Sequence, residues 1–445
     1  MSENTSIDFG NDDILRILLK LAPPVMIAQL IQALYNIIDS FFIGRYSEEG
    51  LTALSIIYPL QLLMIALAVG TGVGINTLMA HYEGVGRTEK SHETAGSGTV
   101  IALVMWFVFS VFCYFIMPAY AKVATNSQSI IHEVIVYGRI VGVFSIGLFL
   151  ESVWTKVLQA GGNMKVPMVA QIVGAVINII LDPILIFGAG FIPKLGIAGA
   201  AIATVTGQIA AAIIVIYYGF KKYPKYYLHT TYVKSIYRLG FPNILMQSAY
   251  TFYILGLNII LKGFSDQAVT ALGLYYKWQT FFFIPLGAMQ TCIVPVISYN
   301  FSSGRSDRCK KTLINSVAMG MVLMFIGTLC FEIFPGQLLS FFSSNSEVIS
   351  IGTHALRVIG LSFVPMVTSL IFPVFFQAIG YSIQSSLLTI IRTVALFVPL
   401  GWFLAHFGLT WFWFTFPITE IITTTIGFIF YRQFKLKNII LKQTD

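Results

Sequence analysis

The stretch YNIIDSFFIG, Tyr35 to Gly44, carries an aspartate inside a segment otherwise built for lipid. An Asp at the centre of a membrane helix costs about 2.5 to 3.5 kcal/mol on insertion scales, so such a residue is usually kept to handle an ion, a proton or a polar substrate. A second one, Asp182, stands in NIILDPILIFG, Asn178 to Gly188. Both segments are expected to run from inside to outside, with Asp39 and Asp182 near their outer ends, and at about 1.5 Å per residue the two carboxyls reach nearly the same depth. Asn178 lies one turn below Asp182, Tyr35 one turn below Asp39, and Thr204, roughly eight residues in from the outer end of the sixth predicted helix, is expected to face the same space. Two close acids in a medium that solvates them poorly repel each other. A proton taken up on one side and released on the other answers that repulsion. The same oxygens, with those of Asn178 and Thr204, also suit Na⁺, since hard cations take oxygen ligands. The plainer alternative is that both acids only hydrogen-bond neighbouring helices or sit near the outer interface.

Other polar groups rank lower. Glu151, with Lys156 five residues on, fits local pairing or snorkelling as well as binding. Glu420 in the last predicted helix is a candidate contact for a cationic substrate, and Arg392 is its possible neutralising partner. Gln247, Tyr276 and Phe282 complete the candidate substrate contacts; the two aromatics belong to a dense group with Tyr275, Trp278, Phe281 and Phe283 that suits flat organic cations through apolar burial and cation–π contact. Pro183 frees a carbonyl and can bend its helix. The run GTGVG, Gly70 to Gly74, lacks the phosphate cradle GxxxxGK[ST] and reads as close helix packing. Cys113, Cys292, Cys309 and Cys330 have no paired spacing and read as packing residues.

The elements that must position these residues follow from composition. Of 445 residues 56% are hydrophobic and 10% charged, against about 25% charged in an ordinary soluble domain. Apolar runs long enough to cross a roughly 30 Å hydrocarbon core begin near Leu18, Leu51, Thr94, Ser129, Pro167, Ile197, Lys234, Ala268, Thr312, Glu347, Ser385 and Leu409. The expected fold is an all-α integral membrane protein of twelve spans. With both termini in the cytosol, Lys221, Lys222, Lys225, Arg305, Arg308, Lys310 and Lys311 fall on the inner side, whereas only Arg45, Lys122, Lys194 and Lys262 fall on the outer loops. That placement accounts for the net charge of +8 through anionic lipid, without nucleic acid.

Shifting the chain by 218 residues against itself superposes Leu21, Pro24 and Gln29 on Leu239, Pro242 and Gln247, Thr52–Leu54 on Thr270–Leu272, Gly86-Arg87 on Gly304-Arg305, Arg139 on Arg357, and Gln159-Ala160 on Gln377-Ala378. One half is read as a copy of the other. The expected organisation is an N-terminal cytosolic tail over 1–13, a first six-helix lobe over 14–219, a cytosolic linker over 220–233, a second six-helix lobe over 234–433 and a C-terminal tail over 434–445. An even number of helices per half inserts both copies with the same orientation, the plan of a transporter that rocks between two open states. The second half has no acid at the repeat position of Asp39, where Leu257 stands, so coupling is assigned to the first lobe.

YNIIDSFFIG, the Gly86-Arg87 loop, QAGGN at Gln159 to Asn163, NIILDPILIFG and the GIAGAAIAT run from Gly196 resemble the multidrug and toxic compound extrusion (MATE) transporters over about residues 14 to 435. The resemblance implies two pseudo-symmetric six-helix lobes and export of amphipathic, often cationic compounds against H⁺ or Na⁺. It carries the family's cation site onto Asp39, Asn178 and Asp182, and extends it to Thr204. The missing second-lobe acid makes the chain closer to the proton-coupled DinF-like branch. The expectation is a monomeric plasma-membrane multidrug antiporter with small-molecule drugs, organic cations and membrane lipids as partners, no nucleic acid, and no cofactor beyond the coupling ion. The alternative is a flippase for a lipid-linked saccharide. No HExxH or GxSxG motif points to an enzyme.

Overall fold

The computed structural model describes residues 7–190, 193–223, 230–343 and 345–444. Residues 1–6 of the expected amino-terminal tail, 224–229 of the expected linker, with Lys225, and the last residue lie outside the described residues. Helices account for nearly all the rest: α1 (Ile14–Tyr46), α2 (Glu48–Gly84), α3 (Thr88–Ala124), α4 (Gln128–Val143), α5 (Ile146–Ala160), α6 (Lys165–Phe187) and α7 (Ile197–Lys222), then α8 (Thr230–Lys262), α9 (Asp266–Phe282), α10 (Ile284–Ser302), α11 (Ser306–Ile333) and α12 (Pro335–Ser340). They are followed by α13 (Ser346–Gly360), α14 (Phe363–Ala378), α15 (Ser382–Ile390), a π-helical segment Ile391–Phe397, α16 (Val398–Ala405), α17 (Leu409–Phe412) and α18 (Thr415–Thr444). Among the described residues nine helices are long and apolar enough to cross a membrane, and the bent pairs α4–α5, α9–α10 and α13–α14 bring the number to twelve. The protein is a multi-pass membrane protein.

The 218-residue repeat is written into the backbone. The starts of α2 and α9, the Ser47 and Ser265 caps before them, and the starts of α3 and α11 are all one offset apart. Both caps work alike, Ser47 Oγ accepting from Gly50 N at 3.2 Å and Ser265 Oγ from Ala268 N at 3.1 Å, so each copy satisfies an orphan N–H in the same way. Three pairs of glycines with positive φ repeat too: Gly86 and Gly304, Gly162 and Gly380, Gly190 and Gly408. A side chain there would be strained, which is why both copies keep glycine at these turns. The α4–α5 and α13–α14 pairs bend by 43° and 55°. At both breaks a serine hydroxyl donates to the carbonyl three residues before it, Ser145 to Gly142 O and Ser362 to Ile359 O, the latter also accepting from Ser362 N. Inside a bilayer such a carbonyl has no water to turn to.

Two compact units divide the chain, the first chiefly Leu19–Ile244 with Ser298–Gly304, the second chiefly Leu245–Ile297 and Arg305–Asp445 with Asp13–Leu18. The division falls inside α8 rather than at the basic loop before it. The cause is local: a Cβ on Gly70 would sit 2.9 Å from Ile244 N and one on Gly74 would sit 3.0 Å from Gly240 N, so the GTGVG run packs α2 directly on the first half of α8. In the second unit, Asp13 caps α1 by accepting from Leu15 N and Arg16 N and pairs with Lys311 at 2.7 Å. The hydrogen bond from Lys311, followed by the helix-start N–H groups, holds the Asp13 carboxyl below its usual range.

The first unit is built round α6 and α7. A Cβ on Gly207 would lie 2.5 Å from Gly174 O and 3.3 Å from Asn178 Cβ, and one on Gly174 would lie 2.8 Å from Gly207 O. This contact sets how closely Asn178 and Asp182 are carried toward the neighbouring helix. Gly207→Ala is expected to force the pair apart and to cost about 1 to 3 kcal/mol as overpacking, read as a lower midpoint of thermal unfolding in detergent. A midpoint equal to wild type would show that the helices separate freely.

Candidate functional site

Asp39 stands near the end of α1 and Asp182 in the last two turns of α6, and both are buried, at 7% and 0% exposure. Their carboxyls lie within hydrogen-bonding reach of each other. Asn178, one turn before Asp182, donates through Nδ2 to Asp182 Oδ1 at 3.3 Å and to Thr204 Oγ1 on α7 at 3.5 Å. The helical spacing of four residues that put Asn178 and Asp182 on one face in the sequence thus puts them in contact. Asp39 Oδ1, Asn178 Oδ1 and Asp182 Oδ2 are buried and receive no donor from the protein. An unpaired buried acceptor costs about 1 to 3 kcal/mol, more when charged, so three of them around one pair of acids make a poor structural contact. They make a good receptor for something positive.

Tyr35, half-buried one turn before Asp39, lines a cavity of about 80 Å³ together with Asn178, Thr204, Gln32, Glu151 and Gln171, which leads away from the acid pair between α1, α5, α6 and α7. Tyr137 on α4 is the site residue that the sequence did not reveal. It is 1% exposed, accepts from Gln61 Nε2 at 3.5 Å, and its hydroxyl also meets Thr204. Its one available signal, an aromatic with a polar tip in an apolar run ahead of Gly138, is shared by many of the chain's 21 tyrosines.

The second unit places its candidates differently. Glu420 is fully buried, and both its oxygens are taken: Arg392 Nη2 donates to Oε1 at 2.6 Å, Arg392 Nε to Oε1 and Oε2 at 3.0 and 3.1 Å, and Ser369 Oγ to Oε2. A cationic substrate would have to displace a guanidinium to reach it. Arg392 enters from the π-helical segment and is buried together with Thr393 and Phe397 of the same segment. By the repeat offset Arg392 occupies the place that Gly174 holds in the first unit, and Gly174 borders the cavity there. Tyr276 packs against Tyr253 and Tyr275, with ring centroids 6.4 and 5.2 Å away. Phe282 lies in an aromatic cluster with Trp278, Phe331 and Phe363. Gln247 is half-buried on α8. The structure gathers Tyr35, Asp39, Asn178, Asp182 and Thr204 into one locus, whereas Gln247, Tyr276, Phe282 and Glu420 are distributed over several packing contacts.

The MatE family model matches the chain twice, over residues 24–184 and 242–403, once in each half of the repeat. The chain belongs to the MATE family of transporters. Its relatives include a FAD transporter of Shewanella oneidensis, 24% identical over 87% of each chain, and the multidrug export protein MepA of Staphylococcus saprophyticus, 23% identical over 90% of each. A solved MATE structure in complex with MaL6 superposes with a TM-score of 0.90 at 21% identity, covering 97% of this chain and 98% of that one. A MOP superfamily transporter from Pyrococcus furiosus gives 0.89 at 22%, with the same coverage. This MATE transporter is therefore a carrier and not an enzyme, and the two family matches begin one repeat offset of 218 residues apart, at 24 and 242.

Proposed function

We propose that this MATE transporter is a secondary active antiporter of the plasma membrane, exporting amphipathic organic cations and drugs in exchange for H⁺ or Na⁺ by alternating access. The observation that carries the reading is the facing pair Asp39 and Asp182 with three buried oxygens left without donors. Ionised carboxylates only accept, so two of them in contact need a proton between them or a cation on their shared oxygens. Asn178 and Thr204 supply the remaining oxygens for Na⁺. The multidrug export proteins among the relatives support a drug-like substrate. Leu257, buried at the repeat position of Asp39, supports coupling in the first lobe and hence the proton-coupled DinF-like branch.

The cycle follows from reciprocity. A substrate and a coupling ion that favour opposite states of one carrier expel each other, and by no more than the difference in their affinities for the two states. The purified protein in liposomes, loaded with a cationic dye and given pH and Na⁺ gradients separately, tests the reading. Dye moving with one of the two gradients is the expected result; dye indifferent to both overturns it. A second reading, export of a flavin nucleotide, rests on the FAD transporter among the relatives and predicts that FAD competes with the dye.

A further inference from the structure

Glu151 is an acid that the exchange described above does not use. It sits on α5, half-buried, at the far end of the cavity that begins at Asn178 and Thr204. Its Oε1 accepts from Thr155 Oγ1 at 2.8 Å and from Gln171 Nε2, on α6, at 3.5 Å. Gln171 and Asp182 are on the same helix, eleven residues apart, which is about 16 Å along the axis at about 1.5 Å per residue. Between them α6 presents Gly174 and Ala175, and α7 presents Gly207 and Ala211. Small residues on both helices are what leave the space open. Leu148 of α5 is the large apolar wall, and the other walls that are not small are polar, among them Gln32 and Tyr35 from α1, Gln171 from α6, and Gln208 from α7, whose Oε1 is buried without a donor. A void of about 80 Å³ with several polar side chains along its walls has room for a few water molecules, each needing two to four partners, and is well short of the roughly 300 to 1,000 Å³ of a drug pocket.

The charged and titratable groups that face Glu151 are few. Lys156 follows on its own helix, its stem lying over Gly72 of α2 and its carbonyl accepting from Asn76 Nδ2 at 2.9 Å, and Tyr35 faces it from α1. From α6 and α7 come only the amides of Gln171 and Gln208. An acid, a water-sized channel with polar groups along it, and a second acid locus one hydrogen bond beyond its other end, through Asn178, are the parts of a proton wire.

We propose that Glu151 is a relay acid for the coupling proton, exchanging H⁺ with the Asp39–Asp182 pair through water held in this cavity. The step breaks an O–H bond at one carboxyl and forms one at the other, with each intervening water gaining one proton and losing one. No other bond changes. The inference rests on the proton-exchange form of the proposed function.

The test uses the full chain in liposomes, with a cationic dye and two measurements: accumulation driven by a pH gradient, and counterflow of labelled against unlabelled dye with no gradient. Glu151→Gln keeps the acceptor for Thr155 and Gln171 but cannot carry a proton. Driven accumulation is expected to become slower by roughly tenfold or more, with counterflow unchanged and with Glu151→Asp restoring much of the rate. Equal driven rates in Glu151→Gln and wild type overturn the relay, as does a parallel fall in driven rate and counterflow, the mark of a structural role. Wild type driven by Na⁺ alone overturns it as well. Wild type driven by neither gradient instead overturns the proposed function, so the two failures are distinct. If Glu151→Gln does not accumulate in the membrane, Gln171→Leu interrupts the same channel from α6. It is then expected to slow driven accumulation and spare counterflow, and a Gln171→Leu protein matching wild type in both overturns the relay.

Discussion

Asp39→Asn is expected to abolish gradient-driven transport while leaving the protein folded. For one proton exchanged per substrate, a pH difference of one unit is worth about 1.4 kcal/mol and sustains a tenfold substrate gradient. A carrier whose acid pair no longer exchanges a proton has no share in that energy, so the accumulation ratio falls to one. Asn is nearly isosteric and can donate to Asp182, which gives the buried oxygens around it a donor they lacked. The fold is therefore expected to hold or gain slightly in thermal stability. Asp182→Asn should behave alike, and the double substitution should be no worse than either single one, because the two carboxyls act as a unit. The decisive measurement is dye accumulation against an imposed gradient alongside gradient-free counterflow. Accumulation by Asp39→Asn at the wild-type ratio would show that the pair is structural.

Removing one member of the Arg392–Glu420 pair is expected to cost stability on another scale. The pair is buried at 7% and 0% exposure. Glu420→Ala leaves a guanidinium in the lobe interior with Ser369 as a small, neutral neighbour, and breaking such pairs typically costs about 3 to 5 kcal/mol. Glu420→Leu combined with Arg392→Met removes both charges and fills the space with apolar atoms, and should recover most of that loss. Thermal unfolding of the two singles and the double in detergent gives the coupling directly. Additive losses would mean that each residue is held by its other neighbours. In the opposite case, transport by the singles should fall in step with folded yield, as expected for an architectural pair.

What could be read in the sequence was what lipid makes conspicuous. Asp39 and Asp182 stand out because a charge in an apolar run has few reasons to be there, and their common depth followed from helix rise alone. The repeat was legible because its landmarks, Gly86 with Gly304 and Ser47 with Ser265, are turn and cap residues whose roles are local. Tyr137 was not legible: it meets Thr204 across the packing of α4 on α7, and no local pattern announces that packing. The cavity was hidden for the same reason. Gly174 and Gly207 look like any small pair on membrane helices until their backbones are seen in contact. Arg392 and Glu420 could be named as partners, but the π-helical turn that joins them is a property of three-dimensional fit rather than of the residues Ile391 to Phe397 taken singly.

The exchange of Gly174 for Arg392 across the repeat has an electrical consequence. The second copy holds its acid against a positive charge tethered by the chain, so the pair moves no net charge through the membrane field. In the first copy the matching position is empty of side chain, and the acids there can be neutralised only by something that comes and goes. An elementary charge carried fully across the bilayer is worth about 2.3 kcal/mol per 100 mV. A net charge moved by the buried acids during transport would then belong to one half of a duplicated molecule, the half with Gly174 where the other has Arg392.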